Sequence, residues 1–339
     1  MNTLVKTSDV VIYTSLVPNL RRSAEGTEIS EEYQRACLKA WKSLGANIVR
    51  LNSVTEISLL RDLKFEVDFL RVDASRPRIV DFINAARNSG KKIAAIVNAD
   101  CLLVAPKAVI DSSLEASVHG MVLFERLNVH PETLCPTGTH CNGFDLFLFD
   151  TKPLFDMELD ERFAIGSPWW DYYFPMAYEA AGGKLYTLPG PALIHLDHPV
   201  GFSQTTYNEK GQIVCSFIRR GQFVVPNFNP YPGLSRPELS ALGTACFEKL
   251  QSCEKVKIQD EISVFALRLL RNIGKYRNIK TSDTIRQLQF LSLSMILRKI
   301  LKHKSSLLLA ALGSPFSRRY SDRMRRRAAK SLSFLEING

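Results

Sequence analysis

The sequence predicts an α/β fold: a mostly parallel sheet with flanking helices, followed by a basic helical region toward the C-terminal end. Three observations predict it. Over the first 150 residues, strand-like and helix-like patterns alternate, as they do when crossover helices connect parallel strands. Residues 93–97, Ile-Ala-Ala-Ile-Val, are an unbroken apolar run and read as a strand buried on both faces. Net positive charge is confined to the tail. Residues 245–339 hold 20 Lys and Arg against 7 Asp and Glu, whereas residues 1–244 hold 24 against 27.

Each element has a local reason. Residues 10–16 are β-branched and aromatic and read as the first strand. Ser30-Glu31-Glu32 opens a helix whose apolar stripe is Ala36, Leu38, Ala40, Trp41 and Leu44, closed by Gly45. Residues 47–51 form a second strand, 54–63 a second helix, and 67–72 a third strand ending at Asp73. Pro77 marks a helix start, and Ile79, Phe82, Ile83 and Ala86 carry its buried face to Gly90. After the strand at 93–97 come a helix at 106–116 and strands at 121–127 and 144–149. Residues 131–143 lack periodicity and read as a loop. A helix at 169–181 is stopped by Gly182-Gly183, and short strands follow at 185–188 and 192–196. Gly, Pro and Asn dominate 199–237, which predicts irregular structure.

With 339 residues and 45% hydrophobic content, the chain buries a sizeable core. The expected division is a sheet domain over 1–240 and the basic helical region over 241–339. Seven cysteines without framework spacing point to reduced thiols. Cys135, His140 and Cys141 cluster, but the absence of a CxxC pair argues against zinc. No signal-peptide pattern and no long uncharged apolar run is evident. The expected setting is therefore cytoplasmic, with a peripheral position at the inner membrane face left open by the tail.

The chemistry starts at Asn98-Ala99-Asp100, which ends the buried strand. Open α/β sheets bind ligands at the carboxyl ends of their strands. Strand alternation predicts that Asn98 and Asp100 leave on the same side, toward a cation and a diphosphate. A late group, His195-Leu196-Asp197-His198, is a candidate for one further ligand. Asp171 stands between Trp169-Trp170 and Tyr172-Tyr173 near a helix start. Partial desolvation there would raise its basicity, although a carboxylate bonded to a helix N-terminus beside core tryptophans has the same appearance.

Four segments together resemble nucleotide-diphospho-sugar transferases of the GT-A superfamily, over residues 8–200. They are residues 10–16 with Thr14-Ser15 at the end; Ala86-Arg87-Asn88-Ser89-Gly90 leading to Asp100; Gly143-Phe144-Asp145-Leu146-Phe147; and Ile165-Gly166-Ser167-Pro168-Trp169-Trp170-Asp171-Tyr172. The resemblance implies a GT-A-like sheet and a hexosyltransferase-like glycosyltransferase with a nucleotide-diphospho-sugar donor. It implies Mn²⁺ or Mg²⁺ on Asp100 with His195 or His198, which spacing does not separate. It assigns Thr14, Ser15, Asp73, Arg87, Asn98 and Asp100 to the donor, and Asp145, Trp169 and Trp170 to the acceptor sugar. Asp171 would be the general base. The family motif is Asp-X-Asp, and here Asn98 replaces the first acid. Glu125-Arg126 is a candidate buried pair beside this site.

The tail joins aliphatic runs to Arg298-Lys299 and Arg325-Arg326-Arg327. Such a segment fits an anionic membrane surface, which would place the enzyme beside a saccharide or lipid-linked acceptor. Few aromatics interleave the basic clusters, which argues against nucleic acid. Two other readings share these features. A nucleotidyltransferase would use a related sheet and metal, but the stretch after the first strand lacks its glycine-rich phosphate loop. A non-catalytic membrane-binding or scaffold protein would use the tail alone.

Overall fold

The computed structural model describes residues 9–219, apart from positions 19, 21–22, 25–26, 29, 62, 64, 66, 106, 130–143, 188–191 and 199–200. The expected basic helical region at 241–339, its boundary at 240 and the Cys135–His140–Cys141 cluster lie outside the described residues. In chain order the elements are β1 (Val10–Thr14), β2 (Ser23–Ala24), β3 (Thr27–Glu28), α1 (Ser30–Lys42), β4 (Asn47–Ser53), α2 (Val54–Arg61), β5 (Asp68–Val72), α3 (Ile79–Asn88) and β6 (Ile93–Val97). There follow β7 (Cys101–Leu103), α4 (Lys107–Ser117), β8 (Met121–Val129), β9 (Phe144–Asp150), α5 (Trp170–Ala180), β10 (Leu185–Thr187), β11 (Leu193–Leu196) and α6 (Gln204–Arg219).

The fold is α/β. Among the described residues, nine strands make one sheet in the order β5-β4-β1-β6-β9-β8-β11-β7, with β10 pairing β8. Five of the pairings between these strands are parallel and three are antiparallel, so the sheet is mixed with parallel pairing in the majority. The antiparallel character comes from β9, inserted between β6 and β8, and from β7, which runs against β11.

Strand alternation divides the core into two layers. Val11, Tyr13, Ala94 and Ile96 face α3 and α5, while Val10, Ile12, Ile93, Ala95 and Val97 face α1, α2 and α4. Each large side chain buried this way contributes on the order of 2 kcal/mol. The α3 stripe falls as its spacing requires: Ile79, Phe82, Ile83 and Ala86 are all buried. Asp81 caps that helix by accepting from the Arg78 N–H at 2.8 Å. On the same side α5 is locked to β9 through edge-to-face rings. Phe147 meets Trp170 at 5.3 Å and Phe174 at 5.4 Å between centroids, and Phe149 meets Phe174 at 5.3 Å.

One secondary-structure expectation fails in the described part. Residues 204–219 are helical rather than irregular. Ser203 Oγ accepts the Thr206 N–H at 3.1 Å, and Tyr207, Gly211 and Val214 form a buried stripe at helical spacing. The surrounding Gly, Pro and Asn residues masked that stripe. Four short elements were not anticipated: β2, β3, β7 and a 3-10 turn at Lys152–Asp156.

Candidate functional site

The chain turns sharply after β6. The Cys101 N–H donates to the Asn98 carbonyl at 3.2 Å, closing a turn through Ala99 and Asp100. Strand alternation therefore ends at Val97, and the two polar side chains part instead of sharing one side. Asp100 is directed to β11, where His195 Nε2 lies 3.3 Å and His198 Nε2 4.0 Å from its Oδ2. Asn98 is directed to β9, where its amide donates to Asp145 Oδ1 at 2.6 Å.

Topology explains how residues almost a hundred positions apart meet. β7 continues from the turn and pairs antiparallel with β11, setting Cys101 opposite His195. β8 lies along the other edge of β11 and sets Asn128 opposite the same histidine. Asn128 Oδ1 is 3.1 Å from His195 Nδ1. With that oxygen accepting, Nδ1 carries the proton and Nε2 presents its lone pair to Asp100. Helix α1 pins both strands from below. Trp41 Nε1 donates to the Cys101 carbonyl at 3.0 Å and the Tyr33 hydroxyl to the Ile194 carbonyl at 2.9 Å.

One ligand atom each from Asp100, His195 and His198 lie within 4.8 Å of one another. A carboxylate and two imidazoles, with one ring already oriented by its far nitrogen, fit a divalent cation. Imidazole donors shift the preference from Mg²⁺ toward Mn²⁺. Both histidines face Asp100, so spacing in the sequence posed a choice that the fold does not require.

A second cluster begins at Asn98. Asp145 is 1% exposed and is ion-paired to Arg126 of β8. Burial alone would lower the Arg126 pKa, but the Asp145 and Asp171 carboxylates outweigh it and push the value up. Arg126 therefore stays cationic, and the pair foreseen as Glu125–Arg126 is instead Asp145–Arg126. Alternation explains the difference, because Glu125 and Arg126 point to opposite faces of β8.

Asp171 occupies the first turn of α5. Its pKa is raised to about 7 by burial first and then by the Asp145 charge, against the lowering effect of Arg126 and of the Asp171 and Phe144 backbone N–H groups. It keeps partial solvent access, yet protein atoms surround it closely enough for desolvation to dominate. The helix N-terminus favours the anion, but that effect is the smaller one here.

The tryptophans are not an exposed sugar platform. Trp170 is 2% exposed and seated on Phe147. Trp169 is 3% exposed and caps α5 in the left-handed conformation at φ 69°, a strained geometry for a side chain of this size. Its ring lies 5.7 Å from Tyr172 and 5.0 Å from Tyr207 of α6, and this packing holds the strained residue in place. Both indoles act as anchors for α5, the element that carries Asp171.

The other candidates divide by position. Thr14 is fully buried and donates to the Val97 carbonyl at 2.8 Å, tying β1 to the end of β6 beside Asn98. Ser15 accepts from Asn52 Nδ2 at 3.3 Å. Asp73 follows the edge strand β5 and is 92% exposed, with Arg71 3.3 Å away. Three strand positions separate β5 from β6, so Asp73 does not join either cluster. Arg87 is likewise committed elsewhere: it lies in the last turn of α3 and donates to the Leu154 carbonyl at 2.9 Å and to the Met157 carbonyl at 3.2 Å. Asn128 was missed, because a lone Asn in a strand carries no signal until its cross-strand neighbour is known.

No protein-family model and no curated protein sequence matches the chain. Two solved structures are similar to it in fold. One is TarS 1-349 of S. aureus in complex with UDP-GlcNAc, with 10% sequence identity, 95% of this chain and 90% of that chain covered, and a TM-score of 0.44. The other is the mannosyltransferase PcManGT of Pyrobaculum calidifontis in complex with GDP-Man and Mn²⁺, with 12% identity, 85% and 86% covered, and a TM-score of 0.42.

Proposed function

We propose that this chain is a GT-A-like glycosyltransferase that moves a sugar from a nucleotide-diphosphate donor to a hydroxyl acceptor, assisted by Mn²⁺ or Mg²⁺. The observation that carries the reading is the Asp100–His195–His198 cluster, placed where the chain leaves the carboxyl end of a central parallel strand. Asp100, His195 and His198 would hold the ion, which offsets the negative charge accumulating on a departing diphosphate. Asp171 receives the acceptor's proton as the new oxygen–carbon bond forms. The sugar–phosphate bond breaks and its electron pair goes to the diphosphate oxygen. A carboxyl that titrates near 7 suits that task, since it accepts a proton readily and is substantially ionised at neutral pH. The apolar packing of Trp169 and Trp170 supports the position of Asp171.

Titration calorimetry of UDP and GDP, each with and without Mn²⁺, tests the reading. Metal-dependent binding of at least one of them is expected, with Asp100→Ala removing it while the thermal melt stays cooperative. Binding that is absent, or indifferent to both Mn²⁺ and Asp100, removes the reading.

A further inference from the structure

The pairing of β8 with β9 runs Met121–Phe149, Val122–Leu148, Leu123–Phe147 and Phe124–Leu146, and then slips to Glu125–Phe144. Asp145 is therefore the extra residue of a β-bulge. A bulge re-aims the side chain it carries and interrupts the ladder around it. Here it sets the Asp145 carboxylate between Arg126 of β8 and the Asn98 amide beyond β6. Two positions beyond it, Phe147 meets Trp170 of α5 at 5.3 Å between ring centroids, so Asp171, the residue after Trp170, heads a helix seated on the same strand. The Asp171 carboxyl is subject to both charges of the Arg126–Asp145 pair, and removing a cation shared in this way leaves uncompensated buried charge.

We propose that Arg126 is a positioning residue for Asp171: clamped on Asp145 at the β9 bulge, its guanidinium is the shared counter-charge that lets the carboxylate at the head of α5 work as an anion. The proposal rests on the reading of Asp171 as the general base. Nothing in the sequence singles out Arg126 for this role, since it sits in a strand beside an acid that faces the other way. Among the described residues, the charged groups acting on Asp171 are Asp145 from β9 and Arg126 from β8, and Tyr172 of its own helix is the neighbouring titratable group. Burial, with the Asp171 charge second, raises the Tyr172 phenol well above its ordinary value and keeps it neutral. Asp145 and Arg126 are then the two charges that decide the state of Asp171, and they act in opposite directions.

The test measures the Asp171 carboxyl titration by ¹³C NMR in the full chain, assigned by its absence in Asp171→Asn, together with the pH profile of sugar transfer. In Arg126→Gln the midpoint and the acid limb of the rate both move up by about one pH unit or more. Arg126→Lys keeps the charge and restores most of the midpoint, though it lacks the planar fork that grips Asp145. Asp145→Asn moves the midpoint down, because the like charge is gone and the arginine is free to turn to Asp171. A purely structural role would lower the melting temperature and the rate at every pH without moving the midpoint. A folded Arg126→Gln with an unmoved midpoint overturns the proposal. If that variant does not fold, an unmoved midpoint in Asp145→Asn overturns it. Failure of every nucleotide-sugar to serve as donor would remove the glycosyl-transfer reading alone, because the NMR midpoint judges the coupling without turnover.

Discussion

The two clusters that diverge from the turn after β6 solve opposite electrostatic problems. Asp100 faces two imidazoles, which would serve as neutral donors beside it to the cation proposed above. Asp145 and Asp171 face a cation supplied by the chain itself, Arg126, which is pressed against Asp145. On that proposal the first arrangement receives charge from outside. The second is already neutralised and is left to tune how tightly one carboxyl holds its proton. Asn98 separates the two: an amide at that position donates to Asp145 and adds no third acid to the arginine's share.

Three substitutions break or sharpen this contrast. The largest effect is expected from Asp171→Asn, which removes the proton acceptor and should lower sugar transfer by roughly 10²–10⁴-fold. In the wild type, transfer should rise with pH through about 7. The same group gives a stability signature. Its folded pKa of about 7 lies above the ordinary 3.8, so its neutral form stabilises the fold below 3.8 and that contribution is lost as pH rises through 7. The melting temperature of the wild type should therefore fall relative to Asp171→Asn across that window. Parallel melting curves at every pH would contradict the placement of Asp171.

A smaller effect, confined to the other cluster, is expected from Asn128→Leu. Losing the partner of His195 Nδ1 frees the ring and its tautomer, and Mn²⁺ affinity should drop by roughly 10–100-fold, read by titration calorimetry on the free protein. The Asp171 midpoint should not move, and a shift there would mean the two clusters are one electrostatic unit. The smallest effect is the least intuitive. Asn98→Asp recreates the Asp-X-Asp motif in sequence, yet it sets a carboxylate against Asp145 at a hydrogen-bond distance of 2.6 Å. It should cost about 2 kcal/mol of stability above pH 5 and leave Mn²⁺ affinity unimproved, measured by urea unfolding and calorimetry. A gain in metal affinity would show that Asn98 belongs to the Asp100 cluster after all.

Much of this site was legible from local pattern. The apolar run of β6 and the polar residues ending it marked the turn from which the two clusters diverge, and the α3 stripe fell where its spacing required. His195 and His198 were legible as a pair because they flank Asp197 late in the sheet domain. The aromatic group at 169–173 was legible as special but not in kind. Hydrophobic residues beside an acid read equally as a sugar platform or as core, and only the rings of Phe147, Phe149 and Tyr207 decide for core. Arg87 and Asp73 were placed by resemblance to a pattern. The fold gives Arg87 two carbonyls and leaves Asp73 at an exposed edge.

By itself the sequence determined the α/β class, the strand that ends in Asn98-Ala99-Asp100, and the small set of acids and histidines from which a site is built. These follow from periodicity and residue chemistry, which act over a few positions along the chain. The tertiary structure decided which of them meet. A turn closed by the Asn98 carbonyl sent Asn98 and Asp100 to different strands, and β11 entered beside β7 and β8 to bring His195 between Asp100 and Asn128. One extra residue in β9 delivered Asp145 to Arg126. Register, turns and bulges are settled by the packing of the whole sheet, and a one-residue slip redirects a side chain completely.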